Sequence, residues 1–285
     1  MYPAYLTEEK LHEFIRNAMK EDHGDGDHTS LGCIPEGTQA QGHLLFKQEG
    51  IVAGMEMAQI IFDVFSKDLL FESYKKDGDT IHEGEVGFKV SGNALQLLSA
   101  ERLVLNCMQR MSGIATYTHY LKSLIRNSHA QLLDTRKTTP NFRIAEKWAV
   151  EIGGGTNHRF GLYDMVMLKD NHIDFAGGVA KALKSTKSYL KKSKKKLKIE
   201  IEVRSLQELR EVIGEGGVDR IMLDNMMPSQ MRQGIAMIAG KYETEASGGI
   251  TEMSISEIAD TGVDYISVGA LTHSYKSLDM SLKAI

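Results

Sequence analysis

AQLLD (130–134), YDMVML (163–168), KIEIEV (198–203), DRIMLD (219–224), ETEAS (243–247) and DYISVG (264–269) decide the fold. Each is a short apolar run of strand length. Amphipathic stretches such as SLQELREVIG (205–214) and MSISEIADTG (253–262) separate most of them. Strand and helix in alternation imply parallel strands joined by crossover helices. The space holds six such units, whereas a closed eight-unit barrel typically takes about 250 residues. A reduced, open barrel and a doubly wound sheet both satisfy that count.

The first part of the chain has another rhythm. LHEFIRNAMKED (11–22) places Leu11, Phe14, Ile15 and Met19 on one helical face. A polar turn, HGDGDHTS (23–30), follows, with Thr29 or Ser30 as the expected helix cap. GHLLFKQEGIVAG (42–54), LLFESYKKDGDTI (69–81) and EVGFKVSG (85–92) read as strands divided by Gly and Asp turns, as in an antiparallel sheet. The helix MEMAQIIFDVF (55–65) lies among them, and a long helix runs from Ala94 to about Ile125, with Ser112-Gly113 as a candidate break or bend. The chain is therefore expected to be α/β, with domains at 1–113 and 114–285 and the last ~10 residues packing back on the first domain.

Composition narrows the class. Lys and Arg number 34 against 38 Asp and Glu, a net charge of −4, and 42% of residues are hydrophobic. That balance excludes a disordered chain and a generally basic nucleic-acid binder. No apolar run approaches the ~20 residues of a membrane span, and the N-terminal stretch lacks the pattern of a secretory leader. Two cysteines, Cys33 and Cys107, imply no disulfide framework and read as core thiols. A soluble, cytoplasmic, globular protein is the reading these features favour; what it does must come from local motifs. HGDGDHTS lacks the ligand spacing of a calcium loop, and the lysines at 187–198 read as a solvated helix end.

What stands at each strand end is more telling. Asp134 leads into Thr135-Arg136-Lys137; Lys169 ends the second strand; Glu202 lies near the end of the third; Asp224 ends the fourth; Ser247 leads into Gly248-Gly249; and Gly269 ends the sixth. In parallel α/β folds the carboxyl ends of strands converge on one face. Arg136, Lys137, Lys169, Glu202, Asp224, Ser247 and Gly269 should then surround one mouth. Arg and Lys recognise carboxylate and phosphate, glycine turns admit phosphate to backbone N–H groups, and Glu202 with Asp224 suits Mg²⁺. A phosphorylated, strongly anionic substrate follows. Each residue taken singly also has a plainer use, as an ion pair or a turn; their occurrence at six successive strand ends favours the site. His158 and His172 flank Arg159 and Lys169 in the same segment.

That segment, DTRKTTPNFRIAEKWAVEIGGGTNHRFGLYDMVMLKDNHI (134–173), closely resembles quinolinate phosphoribosyltransferase, also called carboxylating nicotinate-nucleotide pyrophosphorylase. EDHGDGDHTS, FKQEGIVAG, AERLVLNCMQRMSGIAT, IEIEV, IMLDN, EASGGI and DYISVGALTHS resemble that family's blocks in its order. Asn141 and Trp148 depart from its usual glycine and tyrosine. The resemblance implies an N-terminal α/β sandwich domain followed by an open six-stranded parallel α/β barrel. It implies homodimers or assemblies of dimers, and transfer of phosphoribose from phosphoribosyl pyrophosphate to quinolinate with Mg²⁺. The products are nicotinate mononucleotide, pyrophosphate and CO₂, in NAD synthesis.

By the same resemblance, Thr135, Arg136, Lys137, His158, Arg159 and Lys169 bind substrate, and Arg102 reaches a neighbouring subunit's site. Glu202 and Asp224 sit near ribose and metal. Ser247, Gly248 and Gly249 form one phosphate turn and Ser267, Val268 and Gly269 another, with His273 beside it. Lys137, Lys169, Glu202 and Asp224 are the expected catalytic set. Three other readings compete: a relative of the same fold associated with molybdate transport, a barrel aldolase using Lys169 as a Schiff base, and a non-catalytic nucleotide-binding module.

Overall fold

The computed structural model describes residue 3 and residues 5–285. The fold is an α/β sandwich with a four-stranded antiparallel sheet, and an open six-stranded parallel α/β barrel. By packing, the chain divides into two compact units that are not contiguous in sequence. The first runs up to His119 and takes in Lys137–Gly154 and Ala270–Ile285; the second holds Tyr120–Arg136 and Gly155–Gly269.

In the first unit, strands β1 (Gln39–Phe46), β2 (Gly50–Ile51), β3 (Leu70–Ser73), β4 (Thr80–Ile81) and β5 (Val86–Asn93) come before the long helix, and β12 (Met280–Ala284) ends the chain. The main sheet has the order β12-β1-β5-β3, while β2 pairs with β4. Helices α1 (Glu8–His23), α2 (His28–Cys33) and α3 (Met55–Phe65) accompany them. Phe62 of α3 lies 5.8 Å from Phe88 and 6.0 Å from Phe71, ring to ring, and clamps helix to sheet. Asp27, rather than Thr29 or Ser30, caps α2 by accepting the Ser30 N–H at 3.1 Å. The acidic turn therefore closes a helix. Of the two thiols, Cys107 is in the core, where burial pushes its pKa up to about 12, but Cys33 is exposed.

The long helix α4 (Ala94–Leu124) does not break at Ser112-Gly113. Both residues are used for packing instead. The Ser112 hydroxyl accepts the Ala53 N–H at 2.9 Å and donates to the Ala53 carbonyl at 3.0 Å. A Cβ on Gly113 would collide with the Lys276 carbonyl oxygen and lie 3.0 Å from the Ser277 Cα. Asn141, which precedes α5 (Arg143–Ile152), has φ 63°. Asn tolerates this left-handed region better than most residues, so the departure from glycine preserves the turn.

The second unit holds β6 (Gln131–Leu133), β7 (Val166–Leu168), β8 (Ile199–Val203), β9 (Arg220–Asp224), β10 (Glu243–Ser247) and β11 (Tyr265–Ser267). All pairings are parallel, in the order β6-β11-β10-β9-β8-β7. β6 and β7 end the sheet without pairing to each other, so the barrel is open. Helices α6 (Asp170–Ala176), α7 (Val179–Ser193), α8 (Leu206–Glu215), α9 (Pro228–Ile238) and α10 (Ile255–Ala259) connect the strands, and the short α11 (Ala270–His273) follows β11 in sequence. Lys187 of α7 donates to the Gly216 carbonyl at 2.6 Å, just beyond α8, while Lys191, Lys192 and 194–196 are exposed.

Strand alternation makes the barrel interior polar. Ile199, Ile201 and Val203 point one way along β8, so Glu200 and Glu202 point the other. Register carries the pattern across the sheet: Glu200 and Glu243 flank Arg220, and Glu202 and Glu245 flank Met222. Glu200 and Glu245 are completely buried.

The Gly113 contact yields a prediction opposite in sign to helix propensity. Gly113→Ala should destabilise the protein by about 1–3 kcal/mol through overpacking, measured by urea unfolding. A variant more stable by the ~1 kcal/mol that Ala gains over Gly in a helix would refute the packing role.

Candidate active site

The carboxyl ends of the barrel strands bring together Arg136, Lys169, Glu202, Asp224, Ser247 and Gly269, all within the second unit. Arg136 and Lys169 are exposed, Asp224 is half-buried, and Glu202 is buried. Lys169 Nζ lies 4.0 Å from Glu202 Oε2. Burial, then the neighbouring Asp224 charge, pushes the Glu202 carboxyl above its ordinary range, and Lys169 partly offsets this. Glu202, raised in part by its acidic neighbour, forms with Asp224 a hard-oxygen donor set suited to a divalent cation. His172 accepts the Lys169 N–H through Nδ1 at 3.0 Å and closes the first turn of α6.

The loops after β9 and β10 lock together. The Asn225 N–H donates to the Ser247 carbonyl at 2.9 Å, and Asn225 Nδ2 donates to Asp224 Oδ2 at 2.6 Å. Gly248 has φ 97° and Gly249 φ 60°. A Cβ on Gly248 would overlap the Asn225 side chain and come 2.8 Å from its backbone nitrogen. Only glycine fits at Gly248, and both positions lie in the positive-φ region that glycine adopts at little cost. Ser267 and Val268 are buried at the end of β11; the Val268 N–H donates to the Leu133 carbonyl at 3.0 Å.

Beneath the mouth lies a cluster that the strand-end pattern did not single out. His158 Nε2 stands 3.0 Å from Glu200 Oε2 and 3.4 Å from Glu245 Oε2. Arg220 Nη1 donates to Glu245 Oε2 at 2.9 Å, and its Nε and Nη2 donate to Glu243 Oε2. The Arg220 guanidinium lies 3.9 Å from the centre of the Tyr265 ring. Burial alone would pull the imidazole down, but Glu200 and Glu245 outweigh it and raise His158 to about 9. Burial and the Glu245 charge push Glu200 up. Burial works the same way on Glu245, yet His158 and Arg220 hold it below its ordinary range. His158 Nδ1 accepts the Arg159 N–H at 2.6 Å, so the ring's own proton sits on Nε2, facing Glu200 and Glu245, and the further proton of this coupled cluster is held on the Glu200 carboxyl, which burial raises. The sequence signal for this cluster was the glutamate alternation in IEIEV and ETEAS together with Arg220.

Arg159 is half-buried, and its Nη1 donates to the Met165 carbonyl at 3.2 Å. Burial and the nearby Arg136 charge lower its pKa. Asp134, fully buried, accepts the His158 N–H at 2.9 Å and Asn157 Nδ2 at 2.7 Å. Thr135 is half-buried beside it in sequence.

The other expected residues belong to the first unit. Lys137 and His273 line a cavity of about 630 Å³ with Arg110, Thr138, Thr139, Thr272, Tyr275 and Ser277. Arg110, which the sequence reading passed over, donates to Thr139 Oγ1 at 2.9 Å and to the buried Glu146 at 3.0 Å. Its guanidinium lies 5.2 Å from the Phe142 ring centre and 5.5 Å from that of Tyr275. Thr272 Oγ1 donates to the Lys137 carbonyl at 2.9 Å. Arg102 is exposed on α4.

Residues 27–112 match the family model described as quinolinate phosphoribosyl transferase, N-terminal domain, and residues 114–283 match the C-terminal domain. The chain is 47% identical over 297 aligned positions to quinolinate phosphoribosyltransferase [decarboxylating] 2b, mitochondrial, of Nicotiana tabacum, covering 99% of this chain and 84% of that protein. It is 46% identical to nicotinate-nucleotide pyrophosphorylase [carboxylating], chloroplastic, of Arabidopsis thaliana, covering 96% and 82%. The solved nicotinate-nucleotide pyrophosphorylase from Francisella tularensis superposes with a TM-score of 0.90 at 36% identity, covering 98% of each chain.

The raised imidazole links stability to pH. Its contribution is fully present below the ordinary value of 6.5 and is lost as the pH rises through about 9. Thermal melting should therefore fall across that window by the equivalent of about 3 kcal/mol at most. His158→Gln should flatten the fall, and a variant profile as steep as the parent's would contradict the assignment.

Proposed function

The chain belongs to the quinolinate phosphoribosyltransferase family, and from that premise we propose how its barrel mouth joins quinolinate to phosphoribosyl pyrophosphate. The reaction is a pentosyl transfer with decarboxylation that yields nicotinate mononucleotide, pyrophosphate and CO₂ for NAD synthesis. The observation that carries the reading is the meeting of Arg136, Arg159 and Lys169 with the Gly248-Gly249 turn in one unit. Quinolinate brings two adjacent carboxylates, and its partner brings phosphates. Their approach is electrostatically uphill in water, and fixed cations remove that barrier while orienting the pair.

Arg136, Arg159 and Lys169 hold the dicarboxylate. Arg offers the planar fork that a carboxylate matches, and Lys169 adds a mobile charge beside Glu202. Backbone N–H groups of Ser247, Gly248 and Gly249 receive a phosphate, with Ser267, Val268 and Gly269 at the next strand end. The pyridine nitrogen attacks the anomeric carbon, and pyrophosphate departs. Glu202 and Asp224 lie where positive charge growing on the ribose would be stabilised. The ring nitrogen, once alkylated, is cationic and stabilises the electron pair left on the adjacent ring carbon when the carboxylate leaves as CO₂; a proton from solvent then takes that pair and completes the C–H bond of nicotinate mononucleotide. No decarboxylation cofactor is needed.

Glu202 and Asp224 would hold Mg²⁺, whose chemistry there is to neutralise the pyrophosphate leaving group. The proposal extends to Lys137 and His273 as further phosphate-facing groups, and to a cytoplasmic homodimer in which Arg102, exposed on α4, serves the neighbouring subunit. No helix among the described residues is long and apolar enough to cross a membrane. A Schiff-base role for Lys169 requires desolvation, yet its side chain is 50% exposed.

CO₂ release from carboxyl-labelled quinolinate should require both phosphoribosyl pyrophosphate and Mg²⁺. Arg136→Ala and Arg159→Ala should each lower kcat/KM for quinolinate by at least ~100-fold, about 2.7 kcal/mol. Near-normal turnover in both variants would overturn the assigned roles. For Arg102, hybrid dimers of Arg102→Ala and Lys137→Ala subunits should regain activity that neither parent has. Verified hybrids that stay inactive would contradict a shared site.

A further inference from the structure

His158 sits next to the cations of the mouth, yet its ring is turned away from any ligand. The side chain is 4% exposed. Nε2 faces Glu200 and Glu245 at 3.0 and 3.4 Å, and Nδ1 accepts the Arg159 N–H at 2.6 Å. Neither nitrogen is left to meet a substrate carboxylate. We propose that His158, braced by the buried carboxylates of Glu200 and Glu245, is a positioning residue that fixes the Arg159 backbone and makes no contact with substrate. The inference rests on the reading of Arg159 as a substrate-binding group.

The backbone around Arg159 is tied at every donor that matters. Asp134 takes the His158 N–H with one oxygen and the Asn157 amide with the other. His158 takes the next N–H through its ring. Farther along, Asp164 accepts the Phe160 N–H at 2.6 Å and the Gly161 N–H at 2.8 Å. These ties have a physical purpose. Arg159 stands close enough to Arg136 for the two charges to repel. A flexible loop would let Arg159 swing away before an anion arrives; a tethered one keeps the two guanidiniums in place, so less ordering is required on binding.

The carboxylates behind the ring make the brace durable. Arg220 Nη1 donates at 2.9 Å to Oε2, the same Glu245 oxygen that faces His158, so that carboxylate is held independently of the ring. The charged groups packed around the ring are Asp134 at the end of β6, Glu200 on β8, Arg220 on β9, Glu245 on β10 and Arg159 in its own loop.

A double-mutant cycle separates positioning from contact. Quinolinate KM and kcat are measured for the full-length protein, for His158→Gln, for Glu200→Gln, for Arg159→Ala, and for each of the first two combined with Arg159→Ala. His158→Gln and Glu200→Gln should each raise KM for quinolinate ~10-fold or more and change kcat less; in the Arg159→Ala background each should change KM less than ~2-fold. Full, additive losses in that background would mean that His158 touches the substrate, and would overturn the inference. If His158→Gln fails to fold, the Glu200→Gln arm decides by the same criterion. The proposed function stands or falls separately, on whether the parent protein releases CO₂ from quinolinate at all.

Discussion

Charged side chains closed inside an open barrel must neutralise one another or they would not stay inside. Glu200, Glu245 and Asp134 are wholly buried, and His158 and Arg220 nearly so. Burying an unpaired carboxylate costs several kcal/mol; here each has a partner within 3.4 Å. That mutual dependence gives the second unit its character. The inner face of its sheet is an ion network, and the Arg159 backbone at the mouth is tied to it through His158.

From this constraint the rest follows in steps. Parallel strands deliver their carboxyl ends to one face, alternation along each strand decides which residues turn inward, and register sets Arg220 between two glutamates. The glycine turn beyond β10 can close only because Gly248 has no Cβ to strike Asn225. In the proposed function, anion recognition rests on this turn and on an Arg159 whose backbone the interior holds in place. Such preorganisation is worth more to a reaction that brings two polyanions together than flexible surface charge would be.

Much of this was legible in the sequence. The six strand candidates, the helices between them and the polar residue at each strand end all follow from period and spacing. What lay outside local pattern was missed. Ser112-Gly113 reads as a break, because sequence alone does not reveal that the C-terminal segment at Lys276 presses against Gly113. The buried partners of His158 went unread, because nothing nearby in sequence announces Glu200 and Glu245 behind it. Arg110 passed unnoticed within a long helix, since its partners Thr139 and Glu146 lie far along the chain. Long-range packing decided each of these, and it is the part of a fold that periodicity does not encode.

The central claim is that buried acids hold a histidine, the histidine holds an arginine's backbone, and the arginine meets the substrate. A crystal structure of the protein with quinolinate bound tests it most directly. Quinolinate carboxylates should lie on Arg136, Arg159 and Lys169, with the His158 ring still between Glu200, Glu245 and the Arg159 N–H. A His158 ring turned outward, with either nitrogen bonded to quinolinate, would contradict it.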